Sequence, residues 1–274
     1  VVDRLNIQTD KEHKNIQVLE ESIQKFKNPK HKVCIAMCGK YNSLHDAYKS
    51  IIEAFIHAGI HNNTEVEVKW VDTEELETAP DTATYFKGVD GILIPGGFGD
   101  RGIEGKILSS KYARENKIPY FGICLGMQCS IIDFSRYVCE MKNANSSEFK
   151  SRLKFPVVDL MHGQKGITAK GATMRLGAYP CEVQSGTKAY KAYGKKNIHE
   201  RHRHRYEVNI AYEDRLAEAG ILYSGKSPDG ILPEIIEISD HPWFIGVQFH
   251  PEFKSRPLSP HPLFSSFIKA AKFY

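Results

Sequence analysis

The sequence predicts an α/β fold with an open, mostly parallel, doubly wound (flavodoxin-like) sheet and a small antiparallel extension, on three observations. Short runs of β-forming residues alternate with amphipathic helical stretches through the first half of the chain. Glycine-bearing loops follow two of those runs at their carboxyl ends, where open sheets of this kind gather their sites. Beyond Val138 strands recur without long helices between them, the pattern of an antiparallel extension.

Taken in order, residues 1 to 31 are polar. Ile16, Leu19, Ile23 and Phe26 form one apolar stripe there, as in an isolated helix between flexible stretches. Lys32 to Met37 reads as the first buried strand and Cys38 to Tyr41 as the loop after it. Leu44, Ala47, Tyr48, Ile51, Ile52 and Phe55 fall at helical spacing through Ala58, with Gly59 as the stop. Val66 to Val71 alternates as a strand, Gly91 to Pro95 is a third, and Gly96 to Gly99 follows it. Residues 103 to 116 are helical. Tyr120 to Ile123 is a strand and Met127 to Val138 a helix, so a turn falls at Cys124. Strands and helices alternating at this interval imply right-handed parallel crossovers.

The second half reads as a polar loop at Asn143 to Glu148, a strand at Phe155 to Met161, and a charged loop at Gly163 to Lys170. Strands follow at Thr173 to Val183, Tyr206 to Ile210, Ile221 to Ser224 and Ile235 to Ile238, with short helices at 185 to 194 and 213 to 219. Trp243 to Phe249 is a last buried strand running into His250-Pro251-Glu252, and Leu263 to Phe273 a closing helix.

With 274 residues, 41% of them hydrophobic, the chain is long enough for one large α/β domain with an appendage. No stretch approaches the roughly 18 apolar residues of a membrane span, and no signal-like leader opens the chain, so a cytoplasmic protein with no membrane partner is expected. Six cysteines without secretory context are read as reduced. A net charge of +4 without long basic runs points to no nucleic-acid partner.

The chemistry centres on Cys124. Gly122 and Gly126 flank it as Gly-x-Cys-x-Gly, the cysteine form of a nucleophile elbow, where a sharp strand-to-helix turn leaves no room for a Cβ on either side. The thiol then sits at a helix N-terminus, where free N–H groups and the dipole favour thiolate. A buried structural cysteine is the alternative. His250 and Glu252 follow a buried strand, and an extended His-Pro-Glu segment sets both side chains on one side, as base and orienter. A plain His-Pro-Glu turn is the alternative there, as a functionless glycine-rich turn is at Gly96 to Gly99. Together Cys124, His250 and Glu252 specify acyl transfer, with the N–H groups of Gly97 and Leu125 placed for the oxyanion. The cluster His199 to Arg205 reads as a solvated basic face or a phosphate patch. His199, His202 and His204 lack a companion at ligand spacing, so no metal is assigned.

Gly-Ile-Cys-Leu-Gly-Met-Gln, Pro-Gly-Gly-Phe-Gly and Val-Gln-Phe-His-Pro-Glu resemble the class I (triad) glutamine amidotransferases. Gly39 to Tyr41, Asp46 to Ser50, Asn143 to Phe149, Thr173 to Gly177, Glu200 to Asn209, and Phe249 to Phe253 with Ser255 to Pro257 resemble, more narrowly, the C-terminal glutaminase domains of CTP synthases, from about Lys32 onward. That resemblance implies L-glutamine as substrate and Cys124, His250 and Glu252 as its triad. It further implies substrate contacts from Gly97, Phe98, Leu125, Gly126, Met127, Gln128, Glu148, Arg205 and Tyr206. A carboxylate such as Glu148 suits the α-ammonium, and a guanidinium such as Arg205 the α-carboxylate. Arg175 resembles part of a lid linked to GTP activation, with a surface salt bridge as its alternative.

The resemblance also implies an N-terminal synthetase half that handles ATP, Mg2+ and UTP, in a full-length homotetramer. The chain has no Gly-x-x-x-x-Gly-Lys-[Ser/Thr] of its own. Residues 1–31, beginning at Val1, are expected to be the linker helix from that half, and 32–274 the glutaminase domain, with no cofactor of its own. The rival readings are a regulatory or assembly module with negligible turnover in isolation, and a stand-alone γ-glutamyl hydrolase.

Overall fold

Strands buried on both faces need apolar side chains at successive positions, and four short segments meet that demand: β1 (His31–Gly39), β3 (Gly91–Ile94), β4 (Tyr120–Ile123) and β12 (Phe244–Val247). The computed structural model describes residue 4 and residues 14–40, 45–160 and 174–274. With β2 (Thr64–Asp72) these strands form a parallel block in the order β2-β1-β3-β4-β12. The same sheet continues antiparallel through β11 (Pro233–Ile238), β10 (Ile221–Lys226), β7 (Arg175–Val183) and β8 (Asn197–His204). A second sheet joins β5 (Asn145–Ser146), β6 (Pro156–Leu160) and β9 (Tyr206–Val208).

Alternate strand residues feed two cores. Ala36, Ile92, Ile94 and Tyr120 face α4 (Ile103–Glu115) and α5 (Leu125–Tyr137), which contribute Ile107, Met127, Ile131 and Ile132. Ile35, Met37, Leu93, Phe121 and Ile123 face α2 (Lys49–Asn62) and α8 (Pro262–Lys272), with Phe55, Phe264 and Phe267 between them. Helices on both faces of the parallel block make the doubly wound fold. Helix α1 (Lys14–Lys27) packs on α2 but leaves Ile16, Leu19, Ile23 and Phe26 about half exposed. No helix among the described residues is long and apolar enough to cross a membrane.

Several local expectations are corrected. Gly59 does not stop α2, which runs one turn further to Asn62, with Asn63 at φ 54° as the left-handed cap. Gly59 is needed for clearance instead, since a Cβ there would lie 2.5 Å from the Thr64 carbonyl oxygen. The first strand runs on through Cys38 and Gly39 rather than turning there. The loop at 143 to 148 contains β5, and the strand expected to reach Ile210 ends at Val208, with a 3-10 turn at Ile210–Tyr212. The short helix α3 (Thr73–Glu77), capped by the Asp72 carboxylate, was not expected.

The basic cluster at 199 to 205 is mostly the edge strand β8, paired to β7 along its whole length. Glu200, His202 and His204 point inward and are buried, while His199, Arg201 and Arg203 are exposed, so only alternate residues form a solvated face. Short helices α6 (Lys188–Tyr193) and α7 (Glu213–Glu218) lie as expected. The expected loop at Gly163 to Lys170, and Met161, Thr173, Tyr41 and Leu44, lie outside the described residues.

Candidate active site

Cys124 caps α5 directly after β4 and adopts φ 51°, ψ −101°, a conformation that a non-glycine residue takes only under constraint. The constraint is visible: its N–H donates to the Val247 carbonyl at 2.7 Å and its carbonyl accepts from Gln128 N at 3.2 Å. The flanking glycines allow the approach. A Cβ on Gly122 would lie 2.7 Å from the Gly126 carbonyl carbon, and one on Gly126 would lie 2.3 Å from the Ile94 oxygen. The Tyr120 hydroxyl donates to the Gly126 carbonyl at 2.8 Å and braces the turn.

His250 follows β12, and its Nδ1 meets Glu252 Oε1 at 2.8 Å. The segment is not extended as expected. Pro251–Lys254 is a 3-10 turn with Pro251 in its first position, and the turn itself brings the carboxylate round to the ring. The ring is pinned on two further sides, by stacking of Phe253 at 5.4 Å and by His250 N donating to the Arg201 carbonyl at 2.7 Å. Its buried Nε2 has no hydrogen-bond partner among the described residues. Gly96 shows where the ring stands, because a Cβ at Gly96 would lie 2.7 Å from His250 Cε1 and 3.5 Å from Cys124 Cβ. Burial disfavours the charged imidazole, but the Cys124 sulfur and the Glu252 carboxylate outweigh it and raise His250 to about 10. The arrangement is therefore a sulfur, an imidazolium and a carboxylate in a row.

A cavity of about 480 Å³ opens onto Cys124. Gly97, Phe98, Gln128, Glu148, Arg205 and Tyr206 line it, so these expected residues are brought together. Leu125, Gly126 and Met127 do not line it: Leu125 and Met127 pack in the core, and Gly126 abuts β3. Leu125 is the first residue of α5, and a first-turn N–H has no acceptor within its own helix. Glu148 accepts from Gly99 N at 3.4 Å, and burial raises its carboxyl group against the opposing pull of that N–H, Lys40 and Arg205. Wider depressions along α1 and against α8 contain none of these residues.

Sequence reasoning gave some residues of the site no role in it, among them Gly96, Gln248, Lys40 and His204. Gly96 makes room for the imidazole, Gln248 reaches the sulfur, Lys40 donates to the Phe98 carbonyl, and His204 lines the cavity. All four lie inside the quoted runs: Gly96 in Pro-Gly-Gly-Phe-Gly, Gln248 in Val-Gln-Phe-His-Pro-Glu, Lys40 in Gly39 to Tyr41 and His204 in Glu200 to Asn209.

Arg175 is not in a surface salt bridge. It is 9% exposed, bonded to Glu234, 3.6 Å from Glu207 and stacked over Tyr179. Glu234 also meets His202 Nε2 at 2.7 Å. Burial pushes the neighbouring Glu207 up to about 7 despite Arg175, and holds His204 well below the usual histidine range. No group of three or more His, Cys, Asp or Glu among the described residues is placed to hold a metal ion.

The profile of the class-I glutamine amidotransferases matches residues 43–270. A CTP synthase of Caldanaerobacter subterraneus subsp. tengcongensis is 54% identical over 270 residues, which cover 98% of this chain and 50% of that protein. One from Clostridium kluyveri is 57% identical over 249 residues, covering 91% of this chain and 46% of that protein. The chain thus spans about half the length of the curated relatives it matches. Among solved structures, the glutaminase domain of Trypanosoma brucei CTPS with bound acivicin superimposes with a TM-score of 0.82 at 39% identity, covering 87% of this chain and 93% of that one. A glutamine amido transferase from Methylobacillus flagellatus, 13% identical with a TM-score of 0.51 over 87% of this chain and 94% of that one, shares the fold. The chain belongs to the class I glutamine amidotransferase family, within the group formed by the glutaminase domains of CTP synthases.

Proposed function

We propose that this chain hydrolyses the side-chain amide of L-glutamine through a γ-glutamyl thioester on Cys124. The observation that carries the reading is that Cys124, with His250 and Glu252 beside it, opens onto one cavity whose walls offer a carboxylate, Glu148, and a guanidinium, Arg205.

The steps follow from the residues. The Cys124 thiolate attacks the amide carbon, and the oxyanion accepts hydrogen bonds from the N–H groups of Gly97 and Leu125. Collapse breaks the carbon–nitrogen bond while the His250 imidazolium passes its Nε2 proton to the departing nitrogen, which leaves as ammonia. Neutral His250 then takes a proton from water, the resulting hydroxide adds to the thioester, and glutamate leaves as the thiolate is restored. Glu252 keeps the ring in the tautomer and orientation that both transfers need. Glu148 and Arg205 bind the α-ammonium and α-carboxylate and fix the register of the amide over the sulfur.

Likeness to proteins twice as long supports the wider setting. In it the ammonia is consumed by an N-terminal synthetase half that uses ATP and Mg2+ to aminate UTP to CTP, in a cytoplasmic homotetramer activated by GTP. Residues 1–31 are then the linker to that half, with the half-exposed apolar stripe of α1 as support.

A glutamine-analogue chloroketone is expected to label Cys124 stoichiometrically, and Cys124→Ala to abolish ammonia release. Labelling at another residue, or glutaminase activity surviving in Cys124→Ala, overturns the assignment.

A further inference from the structure

Cys124 has a second polar neighbour besides His250. Gln248, fully buried just beyond β12, brings its side-chain Nε2 to 3.7 Å from Cys124 Sγ. Its Oε1 accepts from Gln128 Nε2 at 3.3 Å, and that same nitrogen donates to the Tyr206 carbonyl at 2.9 Å. The last of these bonds orients both amides. A main-chain carbonyl only accepts, so the Gln128 atom facing Tyr206 is its nitrogen. The second hydrogen on that nitrogen needs an acceptor, which makes the facing atom of Gln248 its oxygen and turns the Gln248 NH2 towards the sulfur. The main chain of Gln248 is held as well, its N–H donating to the Glu234 carbonyl at 2.9 Å.

We infer that Gln248 is a positioning residue for the nucleophile: its amide N–H donates to the Cys124 sulfur and, through Gln128, ties the thiolate to the Tyr206 wall of the cavity. The inference deepens the glutaminase reading and rests on it for its mechanistic meaning. His250 gives its proton to the leaving ammonia and regains one from water during thioester hydrolysis, so the charge of the ring beside the sulfur changes twice in each turnover. An amide does not titrate, and it supplies the sulfur with the same donor at every step. A hydrogen bond to an ionised acceptor is also stronger than one to a neutral thiol, so the contact favours the reactive form. Both amide hydrogens of Gln128 are engaged, so what Gln128 presents to the cavity is an acceptor, suited to an α-ammonium.

The test is the pH dependence of Cys124 alkylation by iodoacetamide, followed by peptide mapping in the full chain and in Gln248→Leu and Gln248→Glu. The ionisable groups around the sulfur are His250 with Glu252 behind it, and Asp100, Glu148, His204, Arg205 and Tyr206 around the cavity. None is altered in these variants. Gln248→Leu keeps the volume but removes the donor, and should move the acid limb of the profile about one pH unit upward, a roughly tenfold loss of rate on that limb. Gln248→Glu should move it further, because a carboxylate then faces the sulfur. Gln128→Leu, which frees the Gln248 amide to turn away, should give a smaller shift of the same sign, and it decides the matter if the Gln248 variants fail to fold. An acid limb unmoved in the folded variants overturns the inference. Failure of the chloroketone to label the wild-type protein would remove the glutaminase reading while leaving the alkylation shift to stand or fall by itself.

Discussion

Replacing Gly96 by alanine should disable the site while leaving the fold intact, and the magnitude can be worked from the geometry. The added Cβ would lie 2.7 Å from His250 Cε1. Two carbons in contact prefer about 3.5–4.0 Å, so the ring must retreat by about 1 Å. It has little freedom to do so, with Nδ1 bonded to Glu252, Phe253 stacked on one face and the His250 N–H held by Arg201. Gly96 is not among the glycines with positive φ, so alanine brings no backbone strain and the whole effect is steric. A displacement of about 1 Å at reacting groups costs about 10²-fold in rate, and overpacking of this kind costs about 1–3 kcal/mol in stability. Ammonia release from glutamine by Gly96→Ala should therefore fall about 10²-fold in kcat/KM. Thermal unfolding measured alongside should show a folded protein with a modestly lowered Tm. Wild-type turnover in a folded Gly96→Ala protein would refute the reasoning, because it would mean that the imidazole has no fixed place beside Gly96.

Two further outcomes follow from the charges. His250 is raised to about 10 in the folded chain, above the roughly 6.5 of an unfolded histidine, and Glu252 is one cause. The linked stability is thus fully present below about pH 6.5 and is lost as the pH rises through about 10, so the denaturant-midpoint gap between wild type and Glu252→Gln should narrow across that window. Elsewhere, the fully buried carboxylate of Asp133 is held by Arg114 at 2.8 and 3.1 Å and by the Ser110 hydroxyl at 3.2 Å. Arg114→Leu leaves that carboxylate unpaired and should cost about 3–5 kcal/mol in urea unfolding, much of it recovered in the Arg114→Leu/Asp133→Leu double variant.

The elements that were legible in the sequence are those whose burial is apolar. Lys32 to Met37, Gly91 to Pro95, Tyr120 to Ile123 and Trp243 to Phe249 announce strands because both of their faces meet hydrophobic helices. Strand β8 does not announce itself, since after Ile198 its inward positions are Glu200, His202 and His204, which pair with other polar groups such as His261, Lys254 and Glu234. No hydrophobic alternation exists there to be read. Gly59 misled for a related reason: a glycine near a helix end suggests a cap, but this one clears a carbonyl brought close by the following strand. The acidic stretch of α3 could have been recognised from Asp72 standing as its N-cap before Glu74 and Glu75.

The sequence by itself determined the doubly wound class and, through its motifs, the family, and it marked Cys124, His250 and Glu252, because residue types at short spacing around glycine and proline are a local property. Tertiary structure alone decided what stands beside those residues. Gly96 beneath the imidazole, Gln248 against the sulfur, Arg175 drawn into a buried carboxylate pair, and the collection of Glu148, Arg205 and Tyr206 around one cavity all depend on segments distant in sequence. Such contacts are set by how strands pair and helices pack, and no spacing within one segment carries that information.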